Sequence, residues 1–242
     1  MIKDPLSARV YKGFWEALDW IYPPACLGCG EPGYRICVKC LSTMTYIEGD
    51  LCAICGRPKD SQRPLCQRCA RQSPVFSGFR SLTWYEGLAR ECVHALKYER
   101  NLSLGDLFGA QMTALLRQAG WGIDLVVPVP LSPAREKDRG YNQATLLARP
   151  VALRLEKPIK PFALKRTRNT RSQVDLGAAE RQVNVAGAFQ AVPECVSGLK
   201  ILLVDDVSTT GATLRECTLA LSAAGAEAVY WLTFSRTGPD GR

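Results

Sequence analysis

The segment from Ile201 to Leu214, ILLVDDVSTTGATL, combines groups suited to phosphate with groups suited to sugar hydroxyls or a metal ion. Its apolar start predicts a buried strand that carries Asp205 and Asp206 to its carboxyl end, where open α/β sheets bind ligands. Small hydroxyl residues and Gly211 then enter a predicted helix, whose N-terminal N–H groups suit a phosphomonoester. Like charges repel, so the two acids fit ribose hydroxyls or a divalent cation. Together these groups predict a ribose 5-phosphate site.

Other interpretations of this segment are an ordinary helix N-cap after an acidic strand end, or another type of nucleotide site. A P-loop requires Gly-Lys-Ser/Thr, which the segment lacks. Dinucleotide binding requires Gly-x-Gly-x-x-Gly after a strand, and no predicted strand of this sequence is followed by that pattern.

Eight of the eleven cysteines form four Cys-x-x-Cys pairs within a short stretch near the N-terminus. Two such pairs complete a tetrahedral Cys₄ site, so the stretch predicts two structural Zn²⁺ ions with no open coordination position. A thioredoxin-like redox function would need one such motif at a strand–helix junction. The spacing leaves open whether the pairs combine sequentially or in a crossed arrangement. The predicted ligands are Cys26, Cys29, Cys37, Cys40, Cys52, Cys55, Cys66 and Cys69.

The composition divides the chain into three parts. Residues 1–22 predict an amphipathic helix with Val10, Phe14, Leu18 and Ile21 on one face. Residues 23–75 have few large apolar side chains and would need metal to fold. Residues 76–242 alternate predicted strands and helices, which indicates an α/β domain with a parallel sheet.

The chain carries a net charge of +8 and has a pI near 9.0, which suits phosphate-bearing ligands or nucleic acid. A generic basic surface is the alternative. No apolar run reaches the roughly 20 residues of a membrane-spanning helix, and the N-terminus lacks the features of a secretory signal. We therefore expect a cytoplasmic protein, with a peripheral position at the inner face of the membrane as an alternative.

The segment ILLVDDVSTTGATL resembles the PRPP-binding motif of type I phosphoribosyltransferases, which use 5-phosphoribosyl-1-pyrophosphate (PRPP) with Mg²⁺. The resemblance implies a phosphoribosyltransferase fold in which Asp205 and Asp206 contact the ribose hydroxyls. It also implies that the 5-phosphate is held by Val207, Ser208, Thr209, Thr210, Gly211, Ala212 and Thr213.

Two further segments are similar to parts of this family. VVPVPLSPAR resembles the strand and pyrophosphate loop of amidophosphoribosyltransferases, which implies ligand contacts at Leu131, Ser132 and Arg135. LKRTRNTRSQVDLGAAERQVNVAGAF resembles the flexible loop that covers the active site, with Arg166 and Arg171 near the pyrophosphate. A solvated basic loop is the alternative interpretation of the second segment.

The order of these segments behind a double zinc ribbon resembles the ComF/GntX family, whose ComF members are implicated in natural competence. The resemblance implies a PRPP-dependent transferase of unknown acceptor that acts in DNA uptake. The alternative is a non-catalytic protein that senses PRPP or binds single-stranded DNA and proteins of the uptake apparatus.

Overall fold

The computed structural model describes residues 24–59, 62–99, 101–168 and 185–238. The predicted N-terminal helix and Arg171 lie outside these residues.

A four-stranded parallel sheet forms the centre of the molecule, in the order β1-β6-β5-β2. The central strand β5 is an apolar run with both faces covered, as expected of a parallel sheet. The register places Asp205 of β5 beside Thr233 of β6, and Ser208 beside Arg236. The strands are β1 (Gly78–Trp84), β2 (Leu125–Pro128), β5 (Lys200–Ser208) and β6 (Ala228–Arg236).

Helices pack on the sheet and form two apolar cores. One core contains Phe108, Leu202 and Phe234, and the other contains Leu203 and Trp231. The longer helices are α3 (Gly87–Tyr98), α4 (Leu104–Ala119), α6 (Gln143–Leu155) and α8 (Ala212–Ala223), and the shorter ones are α1 (Val38–Leu41), α2 (Gln67–Arg71), α5 (Pro133–Arg139) and α7 (Pro193–Val196). The predicted parallel α/β domain is confirmed.

The α4–α6 contact depends on a glycine. A methyl group placed on Gly109 of α4 would lie 2.4 Å from Cγ of Pro150, which sits inside α6. Glycine at this position therefore allows the two helices to approach closely.

Two elements differ from the sequence expectations. The segment after Ser132, expected to be a loop, forms helix α5, because Ser132 accepts the N–H of Arg135, Pro133 begins the helix and Gly140 ends it at φ 79°. The segment FALKR forms the short strand β3 (Leu164–Arg166), which pairs antiparallel with β4 (Phe189–Ala191) outside the main sheet and does not join the parallel sheet that was expected of residues 76–242. This pairing joins segments that are far apart in the sequence, so no local pattern signals it.

The cysteine-rich stretch packs directly against the sheet. Between its two halves, Tyr46 forms an antiparallel bridge with Thr83 of the edge strand β1. The N–H of Ile47 donates to the Leu82 carbonyl (3.0 Å), and the N–H of Trp84 donates to the Thr45 carbonyl (2.9 Å). At the other edge, Ile159 forms a parallel bridge with Val126 of β2.

Candidate functional site

A cleft of about 790 Å³ opens at the carboxyl ends of β2 and β5. The whole predicted motif from Asp205 to Thr213 lines it, together with Leu131, Arg135 and Arg166. Ser132 does not line the cleft; it is buried beside it and caps α5. The fold thus brings together the three sequence segments that were expected to form one ligand site, apart from Arg171, which lies outside the described residues.

The two acidic side chains are almost completely enclosed. Asp205 accepts the backbone N–H of Asp206 on Oδ1 (2.9 Å). Burial, and then repulsion by Asp206, raise the pKa of Asp205 well above its ordinary value. A divalent cation arriving at this pair would therefore compete with a proton for the Asp205 carboxyl, whereas a ribose hydroxyl could form a hydrogen bond with it in either state.

Lys97 of α3 lies beside the acidic pair, with Nζ 3.0 Å from Oδ2 of Asp206. Burial disfavours the charged ammonium, but attraction to Asp206 outweighs it and the pKa of Lys97 is raised. The lysine contact is a buried, charge-assisted ion pair, and the side chain of Asp206 is almost completely enclosed. A buried carboxylate oxygen in this state suits a ribose hydroxyl or a divalent cation, so the acidic pair fits both predicted groups.

Sequence reasoning assigned no role to Lys97. A signal was present, since Lys97 is four residues after Val93 and eight after Ala89, on the side of α3 that the fold buries. A lysine on a buried stripe requires a partner, which here is an acid of the predicted site.

The turn between β5 and α8 forms the floor of the cleft. Gly211 adopts φ 77°, a left-handed conformation that favours glycine, immediately before the first turn of α8. The Thr210 hydroxyl accepts the N–H of Ala212 (3.3 Å). The glycine turn and the hydroxyl side chains at a helix N-terminus, on which the prediction of a phosphate site was based, are therefore present.

The cleft carries more positive than negative side chains. Five cationic residues line it, against three aspartates. This balance suits a ligand that carries several phosphate charges. The cationic residues are Arg90, Lys97, Arg135, Arg139 and Arg166, and the aspartates are Asp138, Asp205 and Asp206.

The eight paired cysteines form two clusters in which the sulfur atoms lie within 4.8 Å of one another. The clusters are sequential, and the crossed alternative does not occur: Cys26, Cys29, Cys37 and Cys40 form the first, and Cys52, Cys55, Cys66 and Cys69 form the second. Four thiolates at this separation fit a structural Zn²⁺ ion.

The two clusters repeat the same local backbone. In each, the N–H of the third cysteine points to the sulfur of the first, from Cys37 to Cys26 (3.2 Å) and from Cys66 to Cys52 (3.3 Å). Such bonds favour the thiolate form that binds metal. Residues 17–74 match the family model described as a double zinc ribbon domain.

The sequence is similar to those of bacterial proteins over most of its length. The DNA utilization protein YhgH of Escherichia coli strain K12 is 32% identical over 225 residues, covering 89% of this chain and 98% of that protein. The competence protein ComFC of Bacillus subtilis is 29% identical over 192 residues, covering 76% and 77% respectively. The chain belongs to the ComF family.

Among solved structures, this ComF-family protein resembles the glutamine PRPP amidotransferase of B. subtilis complexed with ADP and GMP. That match has a TM-score of 0.39 and 22% identity, and it covers 55% of this chain and 26% of the longer one. The protein TT1426 from Thermus thermophilus matches with a TM-score of 0.35 and 15% identity, covering 56% and 84%.

Within the part of the chain that the structure describes, no helix of this ComF-family protein has both the length and the apolar character needed to cross a bilayer.

Proposed function

We propose that this protein binds PRPP together with Mg²⁺ in the cleft at the carboxyl ends of β2 and β5. The observation that carries the proposal is the convergence of the buried pair Asp205 and Asp206, the turn from Val207 to Thr213 and a mainly cationic wall on one cleft. Each part corresponds to one part of the ligand: ribose diol, 5-phosphate and pyrophosphate.

Asp205 and Asp206 would receive the ribose hydroxyls and hold the divalent cation. The cation, when bound, would neutralise part of the charge on the ligand oxygens. The turn at Gly211 would hold the 5-phosphate through backbone N–H groups. Arg135 and Arg166 would stabilise the pyrophosphate as its bond to the ribose carbon weakens, so catalysis would consist mainly of positioning and charge stabilisation.

Calorimetric titration of the zinc-loaded protein with PRPP and Mg²⁺ tests this proposal. We expect saturable binding by the wild type and its loss in Asp205→Asn/Asp206→Asn. The control is Asp124→Asn, an exposed acid just before β2 that accepts the backbone N–H of Lys200. A folded wild type that does not bind PRPP would refute the proposal.

We further propose that the protein acts in DNA uptake, which is supported by relatives named as DNA utilization and competence proteins, and that it does so in the cytoplasm. PRPP-dependent transfer to an acceptor is the activity that the site would support, and sensing of PRPP without turnover is the alternative. Release of pyrophosphate in the presence of candidate acceptors separates the two.

Direct binding of single-stranded DNA is a second candidate function. It is supported by exposed cationic side chains on the second ribbon, the stretch that carries the cluster from Cys52 to Cys69. Arg63, Arg68 and Arg71 are all exposed, and the last two lie on α2. Fluorescence anisotropy with a labelled oligonucleotide at increasing salt tests it, because phosphate contacts weaken as salt rises. Arg68→Ala/Arg71→Ala should reduce both affinity and salt dependence, whereas Lys157→Ala, at an exposed position outside the ribbon, should not.

A further inference from the structure

Thr237, the residue after β6, makes two hydrogen bonds to the turn at the floor of the cleft. Its N–H donates to the Ser208 carbonyl (3.0 Å), and its hydroxyl donates to the Thr209 carbonyl (3.1 Å). A trans peptide is planar, with its N–H directed opposite to its carbonyl. By holding these two carbonyls, Thr237 fixes the direction of the N–H groups of Thr209 and Thr210, two residues that line the cleft.

The preceding residue, Arg236, anchors this end of β6 to the second ribbon. Its side chain is buried, with only 6% of the residue exposed, and its guanidinium donates to the carbonyl of Cys55 (2.7 Å). The guanidinium also lies 4.3 Å from the centre of the Phe79 ring, and the Arg236 carbonyl accepts the N–H of Tyr85 (2.8 Å). Arg236 therefore connects Cys55, a predicted ligand of the second cluster, with Thr237, which orients the turn from Val207 to Thr213. This turn is called the phosphate turn below.

The metal would hold the backbone to which Arg236 is anchored. The carbonyl that accepts the Arg236 guanidinium belongs to Cys55, a predicted zinc ligand, and Arg80 donates to the neighbouring carbonyls of Cys52 (3.4 Å) and Ala53 (3.2 Å). A structural Zn²⁺ contributes folding free energy to the segment that binds it, so loss of the ion would loosen these carbonyls. A buried guanidinium that loses its acceptor is costly.

We propose that Arg236 and Thr237 are positioning residues for the phosphate turn and that the second zinc cluster holds them in place. Occupancy of the second cluster would then set the affinity of the cleft for a phosphorylated ligand. The proposal rests on the proposed PRPP function for its ligand, but the link between cluster and turn is a property of the ligand-free protein. The first cluster offers a comparison, since Cys26 and Cys37 belong to an apolar core with Leu88 and Cys92 of α3.

The link is tested first in variants that keep all eight cysteines. Hydrogen–deuterium exchange of the peptide covering 205–213 is measured in the ligand-free, zinc-loaded protein, and PRPP–Mg²⁺ affinity is measured by calorimetry. Thr237→Val removes one bond to the turn and should weaken binding about fivefold. Arg236→Met should weaken it by at least about tenfold, because the buried anchor is lost. Both should speed exchange in the turn, and Thr237→Ser and Arg236→Lys should restore most of the affinity and protection.

The cluster itself is tested with matched cysteine variants. Cys69→Ser should speed exchange in the turn and weaken PRPP binding, whereas Cys40→Ser, at the corresponding position of the first cluster, should change both much less. Zinc content and thermal melting are recorded for every variant. If either cysteine variant fails to fold, Arg236→Met still decides whether the cluster is linked to the turn, because it removes the bond to the Cys55 carbonyl while all eight cysteines remain.

The outcomes separate this proposal from the proposed function. Unchanged exchange in Thr237→Val and Arg236→Met would overturn the positioning role even if the wild type binds PRPP. Faster exchange in these variants, together with a wild type that binds no PRPP, would support the link between the cluster and the turn and would refute PRPP as the ligand. Equal effects of Cys69→Ser and Cys40→Ser on the turn would overturn the specific role of the second cluster.

Discussion

Replacement of Lys97 by methionine would leave the carboxylate of Asp206 buried without its ammonium partner. The two charged atoms are 3.0 Å apart, and the side chains are 20% and 3% exposed for lysine and aspartate respectively. At the effective dielectric constant of about 20 that suits protein sites, their attraction is about 5 kcal/mol. Part of this offsets desolvation, and breaking a buried pair from one side costs about 3–5 kcal/mol. Because Lys97 retains some exposure, we expect a loss of about 3 kcal/mol in the free energy of unfolding.

Urea unfolding of the zinc-loaded protein measures this loss. The matched control is Lys200→Met, which removes a lysine 3.3 Å from Glu227 in a pair whose side chains are 40% and 55% exposed. An exposed pair of this kind contributes less than about 1 kcal/mol. Lys97→Met/Asp206→Leu should recover much of the stability, because it removes the unpaired charge together with its partner.

Two results would refute the reasoning. The first is a Lys97→Met variant that is no less stable than Lys200→Met, which would mean that the buried carboxylate does not depend on the lysine. The second is a double variant that loses the sum of the two single effects, which would mean that the residues are not coupled.

The other predictions concern the packing of α4 on α6, the acidic pair, the metal centres and a buried cysteine. Gly109→Ala should lower the free energy of unfolding by about 1–3 kcal/mol in urea titrations, because the new methyl group meets Pro150, whereas Gly122→Ala, with open space around it, should have little effect. Because the pKa of Asp205 is raised, its contribution to stability is present below the ordinary aspartate pKa and is lost as the pH rises through the raised value. Over the same pH range the affinity for PRPP–Mg²⁺, measured by calorimetry, should increase as the Asp205 carboxyl loses its proton. The Asp205→Asn variant should show neither the pH dependence of stability nor that of affinity. When the protein is denatured in the presence of a colorimetric chelator, two Zn²⁺ ions per chain should be detected. In the native protein a thiol reagent should leave Cys92 unmodified, because burial raises the pKa of its thiol to about 12.

The strand–turn–helix unit around Gly211 and the cysteine pairs could be predicted because their signals are local. The apolar run of β5, the acids that end it and Gly211 are adjacent in sequence, so their geometry follows from a single strand–turn–helix unit. The Cys-x-x-Cys pairs are equally local, but their combination into sequential clusters depends on how two turns meet in space, and spacing alone left it open.

The features that were not predicted depend on distant contacts or on capping signals that were interpreted differently. Lys97 is identified as part of the site only when α3 is packed beside the end of β5. The antiparallel pairing of β3 with β4 also joins segments far apart in the chain. Helix α5 is different, since its Ser132–Pro133 start and Gly140 end were visible but were interpreted as a loop.

The segment between the two ribbons has a consequence for solubility. Strand β1 forms one edge of the parallel sheet, and an open edge offers unpaired N–H and C=O groups to strands of other chains. The bonds from Ile47 to Leu82 and from Trp84 to Thr45 occupy part of that edge with the protein's own backbone. Removal of the ribbons, by truncation or by loss of metal, would expose the edge and favour intermolecular strand pairing and aggregation. By covering this edge, the cysteine-rich stretch would protect the α/β domain from self-association.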